Sequence, residues 1–186
     1  MRVLLTSTGL ETAEIQEYLI GMIGRDMADL RALFIPTAAI DADAIAVLPK
    51  CMNDLLRCGI PQENIIVFDL HCGMDAAALQ QFDLVYLCGG RTQYLLDRIN
   101  DTGFRTALLE YIRNDGVVVG VSAGSIIFAD NLPDSLHLID CKLDVHCAQG
   151  YPLGKVTFPL KKKMRLTNSR ALALRRIPEE VELIGR

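Results

Sequence analysis

The chain alternates between short, unbroken apolar runs and longer segments in which apolar residues return every three or four positions. The runs at 2–7 (RVLLTS), 30–38 (LRALFIPTA), 64–70 (NIIVFDL), 82–90 (FDLVYLCGG) and 116–122 (GVVVGVS) are rich in Val, Ile, Leu and Phe and show little alternation. Most are bounded by Gly, Pro, Asn or Asp. Such runs predict strands covered on both faces, as in a parallel sheet. Segments 11–24, 41–59, 91–116 and 125–132 carry the helical period instead. Strand and helix in strict alternation predict an α/β fold, a three-layer sandwich with a mostly parallel sheet.

Helix stops fit this reading. Gly59 follows Arg57-Cys58, and Gly116 closes Arg113-Asn114-Asp115, a basic last turn and then a glycine. Past residue 131 the pattern weakens. Residues 136–147 could form another strand, 155–178 suggest a loop and a helix, and 180–186 read as a strand. No repeat or linker interrupts the chain, so 1–186 is expected to be one domain.

Composition narrows the function. With 186 residues, 51% of them hydrophobic and 23% charged, the chain is of globular type. A net charge of −4 and a pI near 5.4 give no basic footprint for nucleic acid. No apolar run approaches the roughly 20 residues that span a bilayer, and the polar turn after residue 5 does not read as a signal peptide. A cytoplasmic protein is expected. Six cysteines (Cys51, Cys58, Cys72, Cys88, Cys141, Cys147) lack C-x-x-C spacing, and His71, His137 and His146 lie far apart. Free thiols and no metal site are expected.

The candidate chemistry lies in "VVVGVSAGSIIFAD", residues 117–130. A strand ends in Gly120-Val121-Ser122-Ala123-Gly124 and a helix follows, the layout of a nucleophile elbow. Gly120, Ala123 and Gly124 keep the tight turn clear of side chains, and the Ala123 N–H at the helix start could receive an oxyanion. A Gly-rich turn that binds phosphate or only packs is the rival reading, because G-x-S-x-G recurs by chance. Gly89-Gly90 ends the preceding predicted strand and offers a second N–H, from Gly90. A serine nucleophile needs a base. His146 follows a later apolar run, His71 follows an earlier strand end, and His137 lies in mid-run.

Together "LLTSTGL", "ALFIPTAA", "LCGGRTQYLL", "GVSAGSIIF" and "LIDCKLDVH" resemble the successive blocks of the S51 serine peptidases, which include dipeptidase E and cyanophycinase. The resemblance covers residues 4 to about 150. It implies a class I glutamine amidotransferase-like (flavodoxin-like) fold, a nucleophile at Ser122, a base at His146 and oxyanion donors at Gly90 and Ala123. It also implies hydrolysis of small aspartyl peptides without a cofactor or metal.

Departures from the family pattern accompany it. Cys88-Gly89-Gly90-Arg91-Thr92 replaces the usual Gly-Gly-Gly-Asn-Thr, and Asp144-Val145-His146 replaces Asn-Pro-His. The loop that carries the family's triad aspartate has no counterpart, and the chain stops at Arg186 where longer relatives continue. Asp144, two residues before His146, would share its face on a strand and is the expected third member, with Asp130 as rival. A catalytically impaired homologue that binds a small acidic ligand or a protein partner is the alternative function. Lys161, Lys162, Lys163, Arg165, Arg170, Arg175 and Arg176 form either a solvated helix face or a lure for acidic peptides. The early chain end predicts a sheet edge that a second copy could cover as a homodimer.

Overall fold

The computed structural model describes residues 1–156, 163–175 and 180–186. Its first half follows the predicted strands and helices, β1 (Arg2–Thr6), α1 (Ala13–Ile23), β2 (Ala32–Ile35), α2 (Ala42–Arg57), β3 (Ile65–Val67) and β4 (Leu84–Leu87), and adds between the last two a four-residue α3 (Ala76–Leu79) that no helical segment of the sequence marked. Then come α4 (Thr92–Asp101), α5 (Phe104–Arg113), β5 (Val117–Val121) and the short α6 (Ala123–Ile126). Segment 91–116 is thus two helices. Gly103, at φ +73°, starts α5 and turns the chain between them.

Beyond α6 the elements are β6 (Leu143–Asp144), β7 (Gly154–Val156), β8 (Met164–Arg165), β9 (Arg170–Arg175) and β10 (Glu180–Gly185). Two expectations need correction here. The described part of the expected helix at 155–178 is strand, and the run 136–147 yields only the two-residue β6. Lys161, Lys162 and Arg176 lie outside the described residues. Of the other basic residues, Lys163 pairs with Asp144, Arg170 donates to Tyr151 and Arg186 carbonyls, and the Arg175 guanidinium stacks over Tyr18. They form no helical face.

The main sheet runs β3-β2-β4-β5-β1-β9-β10-β7. The five strands from β3 to β1 are parallel, and β9, β10 and β7 add antiparallel partners. The last strand is therefore not an edge, since β10 lies between β9 and β7.

Alternate residues of one strand serve different cores. Val3, Leu5, Leu33, Ile35, Val85, Leu87 and Val118 pack with residues of α3 to α5 such as Leu79, Leu95 and Leu108. Leu4, Ala32, Phe34, Leu84, Tyr86, Val117 and Val119 pack with Ile15 and Leu19 of α1 and Leu55 of α2. Both faces are covered, which is why these strands show no polar alternation. The two cores make three layers and leave the carboxyl ends of β1, β4 and β5 side by side.

Candidate active site

Ser122 stands at the carboxyl end of β5 with φ 48° and ψ −107°. A non-glycine residue in that region stores on the order of 1–3 kcal/mol of strain. The surrounding contacts hold it there. A Cβ at Gly120 would lie 2.4 Å from Gly124 O, and one at Gly124 would lie 2.3 Å from Leu87 O. The Ser122 N–H donates to Thr6 O at 3.0 Å. Buried Ser125 completes the lock: its hydroxyl accepts from Thr6 N–H and lies 2.8 Å from both Thr6 O and Gly120 O.

His146 meets the serine. Its Nε2 is 3.0 Å from Ser122 Oγ, within the reach a general base needs. His146 follows β6 at φ 56°, and its N–H donates to the hydroxyl of buried Ser7 at 2.6 Å. On the other side of the ring, Nδ1 lies 3.1 Å from Asn168 Oδ1 and 3.5 Å from Ser7 Oγ. With Nδ1 protonated and donating to Asn168, Nε2 is free to accept from Ser122. The Asn168 carbonyl accepts from the Thr8 hydroxyl at 2.7 Å, which ties the turn before β9 to the loop after β1.

The expected acid is elsewhere. Asp144 pairs with Lys163 at 2.7 Å. The same-face argument required a strand through residue 146, but β6 ends at Asp144 and the positive φ of His146 turns its ring away from that register. Asp130 also serves another partner: its carboxylate lies 2.5 Å from His137 Nδ1 and, with the Pro133 carbonyl, raises the His137 pKa. His71 pairs with Asp69 at 3.2 Å. Sequence reasoning missed Asn168 and Ser7. The signal for each was a hydroxyl- or amide-rich turn at a strand end.

Gly90 and Ala123 are the expected oxyanion donors. Among the described residues neither N–H has a hydrogen-bond acceptor; Ala123 follows Ser122 in the chain, and Gly90 lines the same cleft. At Gly90, φ is +141° and a Cβ would lie 2.0 Å from Ala38 O, so only glycine fits. Arg91 N–H bonds that same Ala38 carbonyl at 2.8 Å and pins the loop. The Arg91 side chain forks onto Asp41 at 2.8 and 3.0 Å and holds the Asp41 carboxyl below its usual pKa.

Ser122, His146, Gly89 and Gly90 open onto a cleft of about 390 Å³ walled by α2. Behind it, Asp54 accepts from Leu10 N–H and the Tyr86 hydroxyl, each at 2.9 Å. Burial raises the Asp54 pKa. The neighbouring Cys51 and Cys88 thiols are both buried; the influence of Cys88 lowers the Cys51 pKa, whereas burial raises that of Cys88. All six cysteines are free, and no cluster of His, Cys, Asp and Glu fit for a metal occurs among the described residues. No helix among them is long and apolar enough to cross a membrane.

Comparison with known proteins places this architecture in a family. The model of peptidase family S51 matches residues 3–139, and the chain belongs to that family. The match includes Ser122, Gly90 and Ala123 and ends before His146 and Asn168. An uncharacterized peptidase of Listeria innocua, Lin0382, is 29% identical over 99 residues, 53% of this chain and 47% of its own. Lmo0363 of Listeria monocytogenes, also an uncharacterized peptidase, is 28% identical over 99 residues, 53% of this chain and 48% of its own. The chain thus spans about half the length of these curated relatives.

Solved structures agree on the fold. A crystal structure from Listeria monocytogenes EGD-e, named as a candidate peptidase E, superposes with a TM-score of 0.78 at 19% identity, covering 100% of this chain and 98% of that one. A peptidase from an acI-B1 actinobacterium superposes with a TM-score of 0.69 at 16% identity, covering 100% and 87%.

Proposed function

We propose that this protein is a serine hydrolase that cleaves small peptides through an acyl-enzyme on Ser122. The carrying observation is the 3.0 Å contact between Ser122 Oγ and His146 Nε2 at a strained turn. His146 takes the hydroxyl proton as Ser122 Oγ attacks the scissile carbonyl carbon. The carbonyl oxygen becomes an oxyanion held by the N–H groups of Gly90 and Ala123. As the tetrahedral intermediate collapses, the C–N bond breaks and the imidazolium gives its proton to the leaving amine. Water, deprotonated by the same imidazole, then attacks the ester and releases the acid and the free serine.

The resemblance to dipeptidase E adds an aspartyl preference, which asks for a cation beside the nucleophile. Lys50, the cationic side chain on the cleft wall, is already paired with Glu11. We therefore assign small peptides, without an acidic requirement, as the substrate class. A neutral Asn168 in the third position favours a slow enzyme and keeps a second reading in view, a homologue that binds ligand without turnover.

A fluorophosphonate probe separates the two. The hydrolase labels at Ser122, and Ser122→Ala removes the adduct in intact-mass spectrometry. Lack of labelling across neutral to alkaline pH would leave the binding reading standing.

A further inference from the structure

The wall of the cleft opposite Ser122 is one face of α2. Ala44, Val47, Leu48 and Cys51 stand at three- and four-residue spacing on that face, and Val121 adds to them from β5. Val47 is 47% exposed. A half-exposed valine beside a reactive serine is apolar surface without cover, and burying it against a ligand side chain is favourable. At about 390 Å³ the cleft is near the lower end of the roughly 300–1,000 Å³ usual for small-molecule sites, room for a residue or two of substrate.

The charges around this wall are adverse to an acid. Asp43 lies on the rim and Lys50 on the wall, with the Lys50 ammonium already on Glu11. Two carboxylates against one ammonium leave the mouth negative. A substrate carboxylate entering there would have to displace Glu11 from Lys50 and would face Asp43. A neutral side chain displaces nothing. The α-ammonium of a short peptide suits the same rim, since its charge is opposite to that of Asp43.

We propose that the cleft beside Ser122 selects an uncharged apolar side chain at the scissile residue, so that leucyl peptides are preferred over aspartyl peptides. The proposal rests on the hydrolase reading for its chemistry and on the α2 wall for its selectivity. Val47 is the specificity determinant, by direct contact.

The test measures binding apart from turnover. Calorimetric titration of Ser122→Ala with Leu-Leu and with Asp-Leu is expected to give at least about tenfold tighter binding of Leu-Leu, the low end of what burying one aliphatic side chain supplies. Val47→Lys, in the Ser122→Ala background, places a free ammonium on an exposed helix face where folding tolerates it. It is expected to weaken Leu-Leu and strengthen Asp-Leu until the two agree within about threefold. Turnover of the same dipeptides by the unmodified protein should rank as binding does.

Equal or tighter binding of Asp-Leu, or no binding of either, overturns the proposal. If the fluorophosphonate leaves Ser122 unlabelled while Leu-Leu still binds more tightly, the hydrolase reading fails and the apolar subsite stands. If Ser122 labels and Asp-Leu is the better substrate, the hydrolase stands and the subsite assignment fails.

Discussion

At His146 the amide of Asn168 stands where a triad carboxylate would, and under the proposed mechanism it would do half of that group's work. In that mechanism its Oδ1, 3.1 Å from Nδ1, would favour the tautomer with a proton on Nδ1 but would bring no charge to stabilise the imidazolium formed on taking the Ser122 proton. Losing the orienting bond in Asn168→Ala should slow fluorophosphonate labelling of Ser122 about tenfold, the worth of a hydrogen bond near 1.4 kcal/mol. Asn168→Asp should do the reverse at alkaline pH. A carboxylate favours the protonated ring, so the low-pH limb of the labelling profile should move to higher pH while the plateau rises. Labelling rates for the parent and both variants between about pH 5 and 9 decide it; superimposable profiles for the parent and Asn168→Asp would show that the side chain does not govern the histidine. Sequence reading reaches Ser122 and His146 because a glycine-flanked serine after a valine run is a local pattern and a histidine at a later strand end is next to local. Asn168 escapes it because its contact spans 22 residues, and Thr167-Asn168-Ser169 alone reads as any polar turn.

The elbow works as an element because β4, β5 and α6 touch backbone to backbone. Gly124 sits against Leu87, the last residue of β4, and that closeness sets where the Gly89-Gly90 loop stands relative to Ser122. Gly124→Ala puts a methyl 2.3 Å from a strand carbonyl, which cannot move without shifting β4. We expect a loss of about 1–3 kcal/mol in urea unfolding together with slower Ser122 labelling. Unchanged stability would mean that α6 can lift away from the sheet. The same contact logic explains two sequence-level misreadings. Gly116 does not cap α5 in the left-handed region; Asp115 does, at φ 65°, and a Cβ at Gly116 would strike the Tyr111 ring at 2.3 Å. In the stretch Arg170–Arg175, Ala, Leu and Arg are strong helix formers, yet it forms β9. There β1 and β10 pair with its two edges, while Leu172 and Leu174 enter one core and Ala171 and Ala173 the other, so tertiary context overrides propensity.

Across the whole molecule, the parallel strands were legible because burial on both faces removes polar residues from them, a mark written into each run. The antiparallel addition was legible only in part: 180–186 reads as the strand that becomes β10, whereas β9 reads as helix and the three-residue β7 gives no run of its own. One buried charge links these layers and gives the fold a pH dependence. Asp54 of α2 binds Leu10 from the loop after β1 and Tyr86 from β4, so α2, the wall of the cleft, is tied to the sheet through a carboxylate that is 2% exposed. Burial is the largest influence on it and raises its pKa above the ordinary 3.8; the hydrogen bonds and Lys50 oppose this, and Glu11 adds to it. The sign follows from proton counts. Between 3.8 and the raised folded value, the folded state holds a proton that the unfolded state has released, so stability falls as pH rises through that window. Asp54→Asn keeps an acceptor for Leu10 and Tyr86 but cannot ionise. Urea midpoints of both proteins from about pH 4 to 7 should therefore diverge, with the parent losing stability relative to Asp54→Asn as pH rises. Other acids, such as Glu14, whose pKa Arg186 lowers to about 2, contribute to both curves and cancel in the difference. Parallel curves would mean that Asp54 ionises as readily folded as unfolded, and that the tie between α2 and the sheet carries its charge without cost.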